Sequence, residues 1–113
     1  MPRTLAVAGC LLALAMPALA QQPAALALFT RPDKGGCLAC HQLPANAGPA
    51  TRADVGPRLE GARMRALGKP ALRSVLTDPM GANPDTVMPP YGRHRLLERE
   101  EIERLVEFLH ALP

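Results

Sequence analysis

Large aromatic side chains are scarce in this sequence of 113 residues, which has no tryptophan, one tyrosine and two phenylalanines. Aromatic side chains bury more surface than most others and dominate the packing of small cores. A single small domain is the most that this length supports, and it would have few large side chains with which to fill its core. We infer that a group other than an amino-acid side chain fills part of the interior.

The sequence also lacks an alternating apolar and polar pattern of useful length, internal repeats and low-complexity tracts. These absences argue against a β-sheet and against a repeat architecture. Charge of one sign is not in large excess, because 13 Lys and Arg stand against 10 Asp and Glu, a formal net charge of +3. That balance is too mild to favour nucleic-acid binding. No carboxylate pair or nucleophile constellation indicates a catalytic centre, so no catalytic residues are expected.

The first 20 residues have the layout of a secretory signal peptide. The basic Arg3 precedes an uncharged apolar run at residues 5–16, Pro17 breaks the run, and Ala18 and Ala20 form a small-x-small cleavage site. We predict cleavage after Ala20. The mature domain would then be residues 21–113, exported to the periplasm.

A membrane anchor and a lipoprotein leader are the two other interpretations of this segment. The apolar run ends by Ala20 and is interrupted by Pro17, so it is shorter than the ~20 apolar residues that a spanning helix needs. A cut before Cys10 in VAGC would leave an apolar core of residues 5–9, below the roughly 7 to 15 residues that such a core usually has. We therefore assign Cys10 to the leader.

The mature chain is predicted to be all-α, with a few short helices and long loops. Apolar residues at helical spacing predict four helices. The first begins at Pro23 and is limited by Pro32, and the second lies at about residues 62–67. The third begins at Pro70 and is stopped by Pro79, and the fourth lies within residues 96–113. The last is the clearest, with apolar residues on one face and acidic residues in its first turn. The proline- and glycine-rich stretches between these segments predict irregular loops.

Two cysteines and a histidine lie close together in the stretch GGCLACHQLP. Cys37 and Cys40 are three residues apart and His41 follows directly, which is the attachment pattern of a c-type haem. On a helical turn both thiols lie on one side, where they can form thioether bonds to the two vinyl groups of one porphyrin edge. His41 can then act as the proximal iron ligand, while Gly35 and Gly36 let the backbone approach the macrocycle. We predict one covalently bound haem c.

The competing interpretations of this cluster are a zinc site, a redox dithiol and a structural disulfide. Structural zinc usually needs four protein ligands, and no second Cys or His pair follows Cys40, since His94 and His110 are far apart. A thioredoxin-like dithiol would lie between a strand and a long helix, whereas Pro44 and Gly48 interrupt the chain here. A disulfide is compatible with export but gives no reason for the adjacent histidine.

The second axial ligand is expected from a different segment of the chain. The candidates are Met64, Met80, Met88, His94 and His110. Met88 is the strongest, because in TVMPPYG the prolines that follow it restrict its backbone and stiffen the loop. Met80 remains its rival, Met64 is better explained as core filler, and the two histidines are better explained as surface residues.

The imidazole of His41 also needs a hydrogen-bond acceptor for its other ring nitrogen, since such a partner fixes the orientation of the ring. The carbonyl of Pro57 in VGPRLEG is the candidate, and Gly56 would allow a close approach. An ordinary Gly-Pro turn explains the same two residues from local sequence alone.

With this attachment motif, the Gly56-Pro57 turn, Met88 and an apolar C-terminal helix in that order, the chain resembles class I monohaem cytochromes c. The succession of GGCLACHQLP, VGPRLEG and NPDTVMPPYG is similar to the SoxX family, the small cytochrome subunits of the SoxAX complex of bacterial sulfur oxidation. The similarity covers nearly all of the mature chain. It implies a small class I cytochrome c fold, with short helices and long loops wrapped around one haem.

The resemblance also implies partners and a reaction. In the SoxX family the partner is SoxA, a monohaem or dihaem cytochrome, and the complex oxidatively couples thiosulfate to a cysteine of the SoxYZ carrier. The chemistry is attributed to the haem of SoxA, and SoxX passes the electrons to a small soluble cytochrome c. The alternative is a free-standing soluble electron carrier. Neither implies a nucleic-acid partner or a membrane association after cleavage of the leader.

Overall fold

Four α-helices make up most of the regular structure in a computed structural model that describes residues 16–113, with side chains from Gln22 onward. They are α1 (Met16–Thr30), α2 (Gly61–Leu67), α3 (Lys69–Thr77) and α4 (Arg99–His110), and single 3₁₀ turns lie at Cys37–Ala39 and Pro79–Gly81. Residues 16–113 contain no β-strand, so the prediction of an all-α chain is confirmed at this level. Residues 1–15 of the predicted leader, which include Cys10, lie outside the described residues.

Helix α1 begins earlier than the sequence pattern predicts. It starts at Met16, spans the predicted cleavage point after Ala20, and contains Pro23 within the helix. A proline in a helix interior removes a hydrogen bond and costs about 3 kcal/mol, whereas in the first turn it costs almost nothing. Among the side chains of α1 that the structure describes, which begin at Gln22, the first buried one is Ala25, after the proline. Cleavage after Ala20 would therefore leave Pro23 in the first turn and the packed part of α1 intact.

The core lies mainly between α1 and α4, which are far apart in sequence. The rings of Phe29 and Phe108 meet with their centroids 5.8 Å apart and an interplanar angle of 53°, a tilted geometry that aromatic pairs favour. Leu105 and Val106 on α4 are almost completely buried. Helices α2 and α3 cover the remaining face of α4. None of the helices in the described part of the chain is both long enough and apolar enough to cross a membrane.

The start of α4 is capped by its own first turn. The sequence places Glu98 where a serine or threonine cap is usual, and the carboxylate of Glu101 accepts a hydrogen bond of 2.9 Å from the Glu98 N–H. This is one half of a capping box, in which a side chain at the third helical position satisfies a free backbone donor. Ion pairs of Lys69 with Glu107 and of Arg73 with Glu103 join α3 to α4 across a solvent-exposed surface, where such pairs contribute little.

The end of the chain is held against the beginning of α2. The N–H of Gly61 donates to the Pro113 carbonyl at 2.9 Å, and the Arg65 guanidinium donates to the Leu112 carbonyl at 2.7 Å. Gly61 is buried, and a Cβ atom added there would overlap both carbonyl oxygens. Leu112 and Pro113 therefore pack closely enough on α2 that only glycine fits at position 61.

We predict that Gly61→Ala lowers the free energy of unfolding by about 2 kcal/mol or more, because the methyl group must displace backbone atoms in a packed site. Gly81→Ala is the matched control, since a Cβ atom at Gly81 meets nothing within 4 Å. We expect its effect to stay within about 0.5 kcal/mol. Urea denaturation of both variants measures the difference, and equal effects would contradict the packing described for Gly61.

Candidate functional site

The segment that carries the two cysteines forms a tight 3₁₀ turn at Cys37–Ala39. The Cys37 carbonyl accepts the N–H of Cys40 at 3.1 Å and the N–H of His41 at 2.9 Å. In a 3₁₀ turn, side chains three residues apart eclipse one another. The turn therefore places the two thiols on one side of the backbone, with the imidazole immediately after them.

Two glycines allow this turn to form where it does. Gly36 has φ +57°, a left-handed conformation that glycine adopts without the penalty of a side chain. Gly35 donates its N–H to the Leu28 carbonyl of α1 at 3.0 Å. A Cβ atom at Gly35 would lie 2.7 Å from that carbonyl oxygen and 2.9 Å from the Cys37 sulfur. The cysteine turn is thus packed directly against the end of α1.

The two cysteines differ in their surroundings. Both are free thiols. Cys37 is buried, and burial raises the pKa of its thiol to about 12, whereas Cys40 is half-buried. The thiol of Cys37 consequently remains protonated and behaves as part of the apolar lining at neutral pH.

The ring of His41 is fixed by the backbone of the following loop. Its Nδ1–H donates to the Pro57 carbonyl at 2.7 Å, which is the contact that the sequence predicts. Because a carbonyl can only accept, Nδ1 carries the proton, and in a neutral imidazole Nε2 keeps its lone pair. The N–H of Gly56 donates to the Cys40 carbonyl at 2.8 Å, and a Cβ atom at Gly56 would overlap the imidazole ring. The Gly56-Pro57 turn therefore leaves space for the imidazole ring and fixes its orientation.

One cavity brings the predicted site residues together. Its volume is about 360 Å³, within the range of small-molecule and cofactor sites. Three segments of the chain line it, namely the cysteine turn, the Gly56-Pro57 loop and the loop that carries Met88. The lining residues are Gly36, Cys37, Cys40, His41, Val55, Gly56, Pro57, Asn83, Asp85, Thr86, Val87, Met88, Pro89 and Tyr91. The wall is largely apolar, and Asp85 is its only acidic residue.

Among the candidates for a second axial ligand, Met88 alone lines this cavity. Met80 lies on the second 3₁₀ turn and is 42% exposed, while Met64 is 4% exposed and belongs to the hydrophobic core. His94 is exposed and His110 is partly buried, and both lie away from the cavity lining. The structure therefore brings Met88 into one cavity with Cys37, Cys40 and His41, and leaves the other candidates elsewhere.

Tyr91 is a site residue that the sequence analysis missed. Its ring lines the cavity, its side chain is 7% exposed, and its hydroxyl donates to the Gly35 carbonyl at 2.6 Å. Burial raises the pKa of the phenol to about 12, which keeps the hydroxyl protonated as a donor. The signal available in the sequence was that the one tyrosine of the chain follows Met88 by three residues, and a buried tyrosine hydroxyl usually finds a partner.

An ion pair ties the other side of the cysteine turn to α4. The ammonium of Lys34 lies 2.8 Å from the Glu101 carboxylate, and the two side chains are 30% and 16% exposed. The hydrogen bond from Lys34 lowers the pKa of Glu101, helped by the Glu98 N–H. This pair is the least exposed of the ion pairs in the described chain. It fixes the residue before Gly35 against the helix that forms the core.

The mouth of the cavity carries exposed apolar side chains. Val55 is 63% exposed and Val87 is 79% exposed, and both line the cavity from different loops. They are the two most exposed large hydrophobic side chains in the described part of the chain. Exposed apolar groups that gather at one place often mark a surface for contact with another molecule.

These residues bring two thiols, one imidazole nitrogen and one thioether together around an apolar cavity. Thiols at this spacing can attach a haem covalently, and a histidine with a methionine is an axial pair found in cytochromes c. Within the described residues, no three side chains of His, Cys, Asp or Glu gather in an arrangement that could hold a metal ion. The residue types that line the cavity are those that would hold a haem c.

Comparison of the chain with protein-family models, with curated proteins and with solved structures gives no match.

Proposed function

We propose that this chain is a periplasmic electron-transfer protein that holds one covalently bound haem c. The observation that carries the proposal is the cavity that joins Cys37, Cys40 and His41 to Met88, with the His41 ring already oriented by Pro57. Two thiols at this spacing suit covalent attachment to a haem, and an imidazole with a thioether suits its iron. The cysteine turn and the Met88 loop come from distant parts of the sequence. The few aromatic side chains of the chain are consistent with a cofactor that fills the interior.

The roles of the residues follow from their positions. Cys37 and Cys40 would form the two thioether bonds, and Nε2 of His41 and the sulfur of Met88 would be the axial ligands. The haem would supply one-electron transfer at its iron. The Pro57 carbonyl orients the imidazole and increases its basicity. The apolar wall excludes water, and burial with a methionine ligand favours a raised reduction potential.

Mass spectrometry of the protein isolated from its periplasm tests this proposal directly. We expect an N-terminus at Gln21 and a mass that exceeds the polypeptide by one haem. Cys37→Ser and Cys40→Ser should each leave a single thioether bond, and the double variant should release all haem when it is denatured in acid. A mature polypeptide with no added mass and no visible absorption would overturn the proposal.

Methionine variants test the second axial ligand. We expect Met88→Ala to lose the absorption spectrum of a low-spin His/Met haem and to lower the reduction potential, because a soft ligand that stabilises the reduced iron is removed. Met80→Ala is the matched control, since this methionine is exposed on a separate turn, and its spectrum should equal that of the unmodified protein. An unchanged spectrum in Met88→Ala would show that Met88 is not a ligand of the haem iron.

We propose further that the chain acts as the SoxX-like subunit of a SoxAX-type complex. The resemblance of the three sequence segments supports this role. The exposed side chains of Val55 and Val87 also support it, because they give the cavity mouth an apolar rim, and the centre of a stable interface is apolar. In this role the chain would receive electrons from a SoxA-like cytochrome as thiosulfate is coupled to the SoxYZ carrier, and would pass them to a small soluble cytochrome c. A free-standing carrier is the alternative.

Co-purification from the native host separates the two roles. We expect the haem-loaded chain to elute with a second, larger cytochrome, and Val87→Asp to weaken that association because it places a charge in the apolar rim. The matched control is Leu67→Asp, which places the same charge on an exposed apolar side chain of α2, away from the cavity lining. Isolation as a monomer with no second cytochrome would favour the free-standing carrier.

A further inference from the structure

The loop that carries Met88 is hydrogen-bonded almost entirely to itself. Every hydrogen bond of residues 83–90 joins them to a partner between Pro79 and His94. The N–H of Met88, for example, donates to the Thr86 hydroxyl at 3.1 Å. The two residues after Met88 are prolines, which have no N–H to donate. These local hydrogen bonds and prolines stiffen the loop, but none of these bonds connects it to the cysteine turn.

One hydrogen bond makes that connection from the end of the loop. The hydroxyl of Tyr91 donates to the Gly35 carbonyl at 2.6 Å. Tyr91 follows Met88 by three residues and Gly35 precedes Cys37 by two. The bond therefore links the segment that carries Met88 to the segment that carries Cys37, Cys40 and His41, the residues that would hold the haem.

The acceptor of this bond is itself rigidly held. The N–H of Gly35 donates to the Leu28 carbonyl of α1 at 3.0 Å, and a side chain at Gly35 would collide with that carbonyl and with the Cys37 sulfur. On its other side, Gly35 follows Lys34, which pairs with Glu101 of α4. The Tyr91 hydroxyl thus ties the Met88 loop to a point that the two core helices fix.

We propose that Tyr91 is a positioning residue for Met88: its hydrogen bond to Gly35 holds the Met88 loop at a fixed distance from the cysteine turn and His41. The inference rests on the proposed function, since it concerns the ligand that Met88 would provide. Tyr91 has no role in attaching the cofactor. Its role is to keep the thioether of Met88 in place, because a thioether is a weak ligand that a competing base can displace.

The test uses Tyr91→Phe in the haem-loaded protein, because this change removes the hydroxyl and keeps the ring in the core. Imidazole is titrated into the oxidised protein, and the absorption spectrum reports displacement of Met88. We expect half-displacement at an imidazole concentration about tenfold lower than in the unmodified protein, because the lost hydrogen bond leaves a buried carbonyl without a partner and frees the loop. The mass of the variant should still include one covalently bound haem.

Val106→Ala is the matched control for a purely structural effect. Val106 is fully buried on α4 and lies outside the cavity lining, so the loss of its two methyl groups destabilises the core of the fold and leaves the Tyr91 hydroxyl in place. We expect its imidazole titration to match that of the unmodified protein. If Val106→Ala and Tyr91→Phe gave the same titration, Tyr91 would have no positioning role.

A double-mutant cycle with Met88→Ala shows whether the effect passes through Met88. In the Met88→Ala background there is no methionine to displace, so adding Tyr91→Phe should leave imidazole binding unchanged. An equal gain in both backgrounds would overturn the proposal, because the hydroxyl would then act on the cavity and not on Met88. Failure of the proposed function would be recognised separately, since the unmodified protein itself would then contain no haem.

Discussion

The hydrogen bond between His41 and the Pro57 carbonyl decides which nitrogen of the imidazole is free to act as a ligand. Nδ1 lies 2.7 Å from the carbonyl oxygen and carries the proton that it donates, so Nε2 keeps its lone pair. The arrangement depends on Gly56, which leaves room for the ring and bonds back to the cysteine turn. The proposed electron-transfer role needs an imidazole in this tautomer and this position, and the short Gly-Pro turn supplies both.

Local patterns made much of the site predictable from the sequence. The spacing of Cys37, Cys40 and His41 predicted that the two thiols and the imidazole lie close together. The 3₁₀ turn at Cys37–Ala39 places the two thiols on one side of the backbone, with the imidazole next to them. The proline pair after Met88 predicted a stiff loop, and Met88 lies in the cavity while Met80 lies outside it. Helix α4 also follows its apolar pattern closely. Each of these features is encoded within a few adjacent residues, which is why a single sequence reveals it.

The features that the sequence did not reveal join residues far apart in the chain. Nothing near Tyr91 indicates that its hydroxyl reaches Gly35, and nothing near Lys34 indicates that it pairs with Glu101. The start of α1 was also misplaced, because Pro23 suggested a helix terminus whereas the helix continues through it. Burial is a property of the assembled fold, so the exposure of Val55 and Val87 at the cavity mouth could be seen only in the structure.

The packing of α1 against α4 has a consequence for the order in which the molecule opens. These helices, the first and the last of the described chain, pack together around Phe29 and Phe108, while the loop at residues 83–90 buries little and bonds mainly to itself. Protein regions with few buried contacts open at lower free energy than the core. Breaking the hydrogen bond between Tyr91 and Gly35 would therefore release this loop while the helical pair stays closed, so exchange of solvent or small molecules into the cavity does not require the chain to unfold.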